Sequence, residues 1–195
     1  MSARKNDAYA SLKVAAFRNF QLSRFLLTFA IQMAETIIAW KIYEVTNSKL
    51  ALGLLGLSEA LPFILTSLFG GHAADTFNRY RIARWTILGI TICFAVIGVL
   101  MSNDGKLIEQ YGATPVFVII GVTGVVRGFM APAYQSIFPQ LIPRELYANA
   151  ATWGSNAWQT AAVAGPAFGG IIYGYAGVEL SFGLAVLLMV ASFFV

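Results

Sequence analysis

The sequence predicts an all-α membrane protein of six transmembrane helices, on three observations. Of its 195 residues, 58% are hydrophobic and 11% charged, against roughly 25% charged in an ordinary soluble domain. Its apolar residues fall into runs long enough for a hydrocarbon core, which takes roughly 20 helical residues to cross. Its lysines and arginines are spread unequally over the segments between those runs.

The runs cover residues 20–45, 50–74, 82–102, 114–137, 149–175 and 180–195. Short polar segments join them: TNSK, the basic DTFNRYR, SNDGKLIEQYG, PQLIPREL and a minimal AG. No linker interrupts the series, so one helical domain over residues 20–195 is expected after an N-terminal segment, residues 1–19. With the N-terminus inside, Arg4, Lys5, Lys13, Arg18, Arg24, Arg79, Arg81, Arg84 and Arg144 lie on the inner side. Lys49 and Lys106 alone lie outside, and the positive-inside rule then gives an N-terminus on the inner, cytoplasmic side; the membrane expected is a plasma membrane. Around residues 10–20, Lys13 and Arg18 mix with Leu12, Val14 and Phe17, which predicts a short interfacial helix against membrane lipid. No apolar core with a small-residue cleavage site precedes it, so a signal peptide is not expected. The last run stops at Val195 without a cap or basic flank, which leads us to expect a chain cut inside its sixth helix.

Several function classes are disfavoured. The basic residues form no stripe interleaved with aromatics, so nucleic acid is not an expected partner. One cysteine, Cys93, allows no internal disulfide, and one histidine, His72, leaves no pair for a zinc site, so no metal is expected. No nucleophile elbow or paired-carboxylate metal site points to an enzyme.

An ionisable residue at the bilayer centre costs about 2.5–3.5 kcal/mol on an insertion scale, so those inside the spans are informative. At helical spacing, Thr28, Gln32, Glu35 and Thr36 share a narrow arc of span one, continued outward by Tyr43. Span four carries Thr123, Arg127 and Tyr134, and span two carries Glu59 and Thr66. Counted from the outer edge, Glu35, Glu59 and Arg127 lie at one depth, roughly 14–18 Å down at 1.5 Å per residue. Two readings follow: a proton and substrate site, or charges that neutralise one another and lock helices together. Near the outer end, Lys41 and Glu44 are spaced to pair, and Trp153 is the tryptophan placed to line a cavity.

Span five is two-faced. Ala157, Ala161, Gly165 and Gly169 recur every four residues, extended by Gly170 and Gly174, a pattern that lets two backbones approach closely. Pro166 removes a backbone hydrogen bond beside that face and can bend the helix. The opposite face carries Asn149, Thr152, Asn156 and Gln159, which predicts a hydrated wall.

The order G-P-x-x-G-G, Gly165, Pro166, Gly169 and Gly170, resembles the fifth-helix antiporter motif of major facilitator superfamily exporters. The loop GGHAADTFNRYR is similar to that superfamily's inner-loop signature, with Gly71, Asp75, Arg79 and Arg81 in place. Thr76 stands where Arg is usual, Asn78 where Gly is common, and Tyr80 replaces a basic residue. WKIYEVTNSKLALGLLGLSEALP and APAYQSIFPQLIPRELYANA resemble the enterobactin-exporter-like branch.

The resemblance implies the N-terminal six-helix half of a twelve-helix transporter, built from two inverted three-helix repeats, with the C-terminal half as its missing partner. It implies a secondary active transporter in a bacterial inner membrane, without a cofactor and driven by a proton gradient. Its substrate would be a small amphipathic molecule such as a drug, siderophore or lipid-like metabolite. Spans one and four would line the cavity, Asp75 and Arg79 would latch an inner gate, and Gly165 to Gly170 would close a seam against leak. An importer or exchanger, and a non-transporting scaffold or sensor, remain as alternative readings.

Overall fold

The computed structural model describes residues 7–102, 108 and 112–195. Arg4, Lys5 and Lys106 of the charge count, and most of the loop SNDGKLIEQYG, lie outside the described residues. The described chain is helical throughout: α1 Ala15–Thr46, α2 Lys49–Thr76, α3 Arg79–Met101, α4 Thr114–Ile137 and α5 Tyr147–Phe194. All five are long and apolar enough to cross a membrane.

Local chemistry sets the boundaries. Asn47 ends α1 in the left-handed conformation (φ 48°), its amide donating to the Tyr43 carbonyl. Ser48 then caps α2 by accepting from the Ala51 amide. Asn78 caps α3, its side-chain oxygen accepting from the amides of Tyr80 and Arg81. That is why the helix begins at Arg79, three residues before the apolar run suggests.

The runs 149–175 and 180–195 lie on two helical arms of α5 that meet at Gly177, whose φ of 72° and ψ of −175° only glycine adopts readily. Around this break the chain reverses. Before it, Tyr173 donates to Glu44 near the end of α1; after it, the Ser192 carbonyl accepts from Ser23 near the start of α1. One expectation is corrected here, that of the N-terminal approach: instead of an interfacial helix over residues 10–20, a 3-10 turn, Ser11–Lys13, is followed by an extended Val14, and α1 begins at Ala15. Phe17 is fully buried against Ile142 and Ala150, where lipid contact was expected.

That approach is clamped by Asn149. Its side-chain oxygen accepts from the Ser11 amide and hydroxyl (3.1 and 2.6 Å), while its nitrogen donates to the Ala8 carbonyl (2.8 Å). Nearby, Lys13 lies 2.5 Å from Asp7, and its hydrogen bond, then that from the Tyr9 amide, holds the Asp7 carboxyl below its ordinary 3.8. A depressed carboxylate contributes stability above its unfolded pKa and loses it as pH falls through the folded value. Acidification below about pH 4 is therefore expected to loosen residues 7–13. The fluorescence of Trp153, which touches Ala8 and Tyr9, should report this as a pH-dependent difference between the native chain and Trp153→Phe. Asp7→Asn should remove that pH dependence.

The main core lies among α1, α3, α4 and the far arm of α5, with Met33, Ile38, Ile90, Phe94, Ile97, Ile120, Phe182 and Met189 buried. The apolar side chains of α2, including Leu65, Leu68 and Phe69, face outward. Hydrophobicity cannot by itself hold helices together in lipid, so close backbone contact must supply much of the cohesion. Two glycine seams do so, one between α1 and the near arm of α5, the other between α2 and α4.

Candidate functional site

On the α5 seam, Gly165 rests on the Phe29 carbonyl, the Gln32 Cβ and the Met33 amide, and Gly169 on the Met33 carbonyl. Pro166 is half-buried between them. Gly170 and Gly174 do not extend this surface: nothing lies within 4 Å of the position a Cβ would take at either. They instead border a cavity of about 480 Å³ at the outer end, with Trp40, Lys41, Glu44 and Tyr173. There Glu44 is a hub: it pairs with Lys41 at 3.4 Å and accepts from Trp40 at 2.9 Å and Tyr173 at 2.8 Å.

The second seam is the one that sequence reasoning missed, although Gly124 and Gly128 stand four apart like the pairs singled out in span five. Gly124 sits against the backbone of Glu59, and Gly128 against Thr66 and Ser67, too close for any Cβ. Pro62 and Pro132 lie inside α2 and α4, and each withholds the amide that would bond the carbonyl four residues back. Those carbonyls, of Ser58 and Gly128, face Gly121 and Gly70 across the seam. The arrangement suits short Cα–H···O contacts.

This close approach builds the charged site. Arg127 follows Gly124 by one turn, so its guanidinium meets the carboxylate of Glu59, to which Nη1 donates. From α1, Glu35 Oε1 reaches within 2.8 Å of the same Nη1, an ion pair without hydrogen-bond alignment. The side chains are about a quarter exposed: Arg127 24%, Glu35 29% and Glu59 21%. A cavity of about 320 Å³ opens beside Arg127 and Glu59, lined also by Gly56, Phe63 and Met130. One cation thus serves two carboxylates on two helices. With all three ionised, the cluster carries a net charge of −1 (+1 − 2), and one added proton brings it to zero.

Other expected site residues fall elsewhere. Thr28 is half-buried on α1, and Gln32 lies on the α5 seam, its carbonyl accepting from Thr36. Asn156 is exposed and its carbonyl accepts from Thr160. Trp153 lines no part of this cluster: its indole donates to the Ala8 carbonyl at 2.8 Å and packs on Tyr9, ahead of α1. Asn149 belongs to the N-terminal clamp, which corrects the hydrated wall expected there. In the inner loop, Gly71 has open space beside it and Asp75 is exposed. Arg79 donates from Nε to the Ala74 carbonyl at 3.1 Å, and Arg81 is exposed. Among the described residues no ion pair joins Asp75 to either arginine.

Residues 6–195 match the profile of the transmembrane secretion effector family, an MFS family. The chain is 25% identical over 156 residues to a staphyloferrin A transporter of Staphylococcus aureus, covering 78% of this chain and 38% of that protein. It is 28% identical over 170 residues to the uncharacterized MFS-type transporter YkuC of Bacillus subtilis, covering 83% of this chain and 37% of that one. The matched part is thus under two-fifths of the length of either relative. No solved structure matches the chain. Matched along nearly its whole length and built of helices able to cross a bilayer, the chain is a multi-pass membrane protein that belongs to the transmembrane secretion effector family of the major facilitator superfamily.

Proposed function

We propose that the chain is the N-terminal six-helix half of a proton-coupled exporter of a small amphipathic molecule, working by alternating access in a bacterial plasma membrane with its N-terminus inside. The observation that carries the reading is Arg127 held between Glu35 and Glu59. Two carboxylates competing for one guanidinium can take up and release a proton without leaving an unpaired cation at bilayer depth. Protonation frees α1 or α2 from Arg127, and so couples the proton to helix movement along the glycine seams.

Further features support the half-transporter reading. The reversal at Gly177 supports reading the two arms of α5 as separate passes, six with the others. Exchanging α1 with α4, α2 with the near arm of α5 and α3 with its far arm maps the α1–α5 seam onto the α4–α2 seam. This exchange supports a reading as two inverted three-helix repeats. The exposed apolar face of α2 suits burial against a C-terminal half or lipid. Within this scheme Gly71, Asp75, Arg79 and Arg81 form an inner gate, and Gly165, Pro166, Gly169 and Gly170 the outer part of a seam that closes against leak. The quoted stretches from Trp40 and Ala131 favour an enterobactin-exporter-like protein.

The test is flux of a panel of amphipathic compounds from everted vesicles holding the complete protein, under an imposed pH gradient. Glu35→Gln is expected to abolish pH-driven export at unchanged expression. Undiminished coupling in that variant overturns the role of Glu35, opposite flux makes the protein an importer, and no flux from the native protein favours a scaffold or sensor.

A further inference from the structure

A second site lies on the inner side of the same groove. Arg24 is eleven residues from Glu35 on α1, and Tyr134 seven from Arg127 on α4. At 100° per residue each falls about 20° from its partner's direction, so both continue the face that carries the charged cluster. At 1.5 Å per residue they lie roughly 10–16 Å further toward the inner end. There a cavity of about 440 Å³ opens between α1, α4 and the near arm of α5, lined by Arg24, Tyr134, Gln135, Gly154, Ser155 and Trp158 among others.

The two sites have opposite chemistry. Arg127 is already met by two carboxylates, whereas Arg24 makes no ion pair with any described residue and no carboxylate lines its cavity. The Tyr134 side chain is over nine-tenths buried, its ring fixed edge-on against Phe20 at 5.5 Å. Its hydroxyl is buried without a hydrogen-bond partner. A buried hydroxyl left without a partner is unfavourable, and Tyr134 lines the same cavity as the unpaired Arg24, so the site is prepared for an acceptor. Gly154 forms the floor, with Gln21 Oε1 3.8 Å from the position its Cβ would take, Gln135 and Ser155 are exposed polar groups at the rim, and Trp158 offers an exposed aromatic wall.

Resting on the transport reading above, we propose that Arg24 and Tyr134 form an oxyanion site that receives the carboxylate or phosphate head of an amphipathic substrate, with Trp158 flanking its apolar body. The guanidinium supplies charge and a forked donor, and the Tyr134 hydroxyl donates a third hydrogen bond. The substrate is then an anion held one step inward of the proton site, and the two sites do not compete for Arg127. The same oxyanion chemistry is offered by the head group of an anionic lipid, so the test must separate these sources.

The probes are 1-naphthoate, its neutral amide and 1-naphthylmethylammonium, which share a ring and differ in charge. Their binding to the complete protein is measured by equilibrium dialysis in nanodiscs of zwitterionic lipid. Naphthoate is expected to bind best and to weaken about ten- to hundredfold in Arg24→Gln. Arg24→Lys should restore part of the loss and Tyr134→Phe should cost about three- to tenfold, while Trp158→Ala should weaken all three probes alike. Equal binding of the three probes, or naphthoate affinity unchanged in both Arg24→Gln and Tyr134→Phe, overturns the site. Phosphatidylglycerol in the nanodisc that displaces naphthoate from the native protein but not from Arg24→Lys assigns the site to lipid and overturns the substrate assignment. Flux is read separately: selective naphthoate binding in a protein that moves nothing refutes transport and leaves the anion site standing. Coupled flux with no charge selectivity does the reverse.

Discussion

Arg127→Gln is expected to destabilise the protein more than any other single change at the charged cluster. Removing one partner of an ion pair away from water leaves an uncompensated charge, at a cost of about 3–5 kcal/mol, and here two carboxylates lose their shared cation. The fraction of protein that stays monodisperse after heating in detergent should fall sharply, and should recover as pH is lowered and the carboxylates take up protons. The triple variant Arg127→Gln, Glu35→Gln, Glu59→Gln removes charge altogether and should regain most of the lost stability, since neutral groups in place of an ion pair are often tolerated. It should nevertheless fail in pH-driven export. A triple variant that still couples would show that the charges lock helices and do nothing more.

Leucine at Gly128 or Gly165 is expected to be nearly as damaging. At Gly128 the new side chain meets Thr66 and the Ser67 amide, and at Gly165 it meets the Phe29 carbonyl and Gln32. Overpacking of this kind costs about 1–3 kcal/mol, and more where the obstacle is backbone. By contrast, Gly170→Ala and Gly56→Ala meet nothing within 4 Å, and alanine improves helix propensity by up to about 1 kcal/mol. Yield of folded protein on size exclusion separates the two groups, and equal losses at Gly165 and Gly170 would refute the seam as drawn.

The contrast between Gly165 and Gly170 also marks how far the sequence could be read. Both belong to one motif, yet one is pressed against α1 and the other opens on a cavity. A period of four says which residues share a face, not where a neighbouring helix ends. The meeting of Glu35, Glu59 and Arg127 was legible for a simpler reason: helical rise converts residue count from a loop into depth, and charges that share a depth inside lipid have few partners to choose from. The α2–α4 seam carried the same spacing signal as span five and went unread, masked by Pro62, Pro132 and the apolar residues around it. The N-terminal clamp had no local signal. It joins Ser11 to Asn149 across 138 residues, and polar residues at that spacing are equally compatible with a wet wall. The break at Gly177 was visible as a two-residue AG turn, but not its form, in which helical structure resumes directly after a single glycine.

Infrared difference spectroscopy of the complete protein across a pH step reads most directly whether the cluster of Glu35, Arg127 and Glu59 exchanges a proton. Proton exchange there gives a band from a newly protonated carboxyl group that is lost or shifted in Glu35→Gln or Glu59→Gln and persists in Asp75→Asn. A carboxyl spectrum that does not change across the functional pH range, or a band indifferent to both substitutions, would contradict it and leave the cluster a static lock between helices.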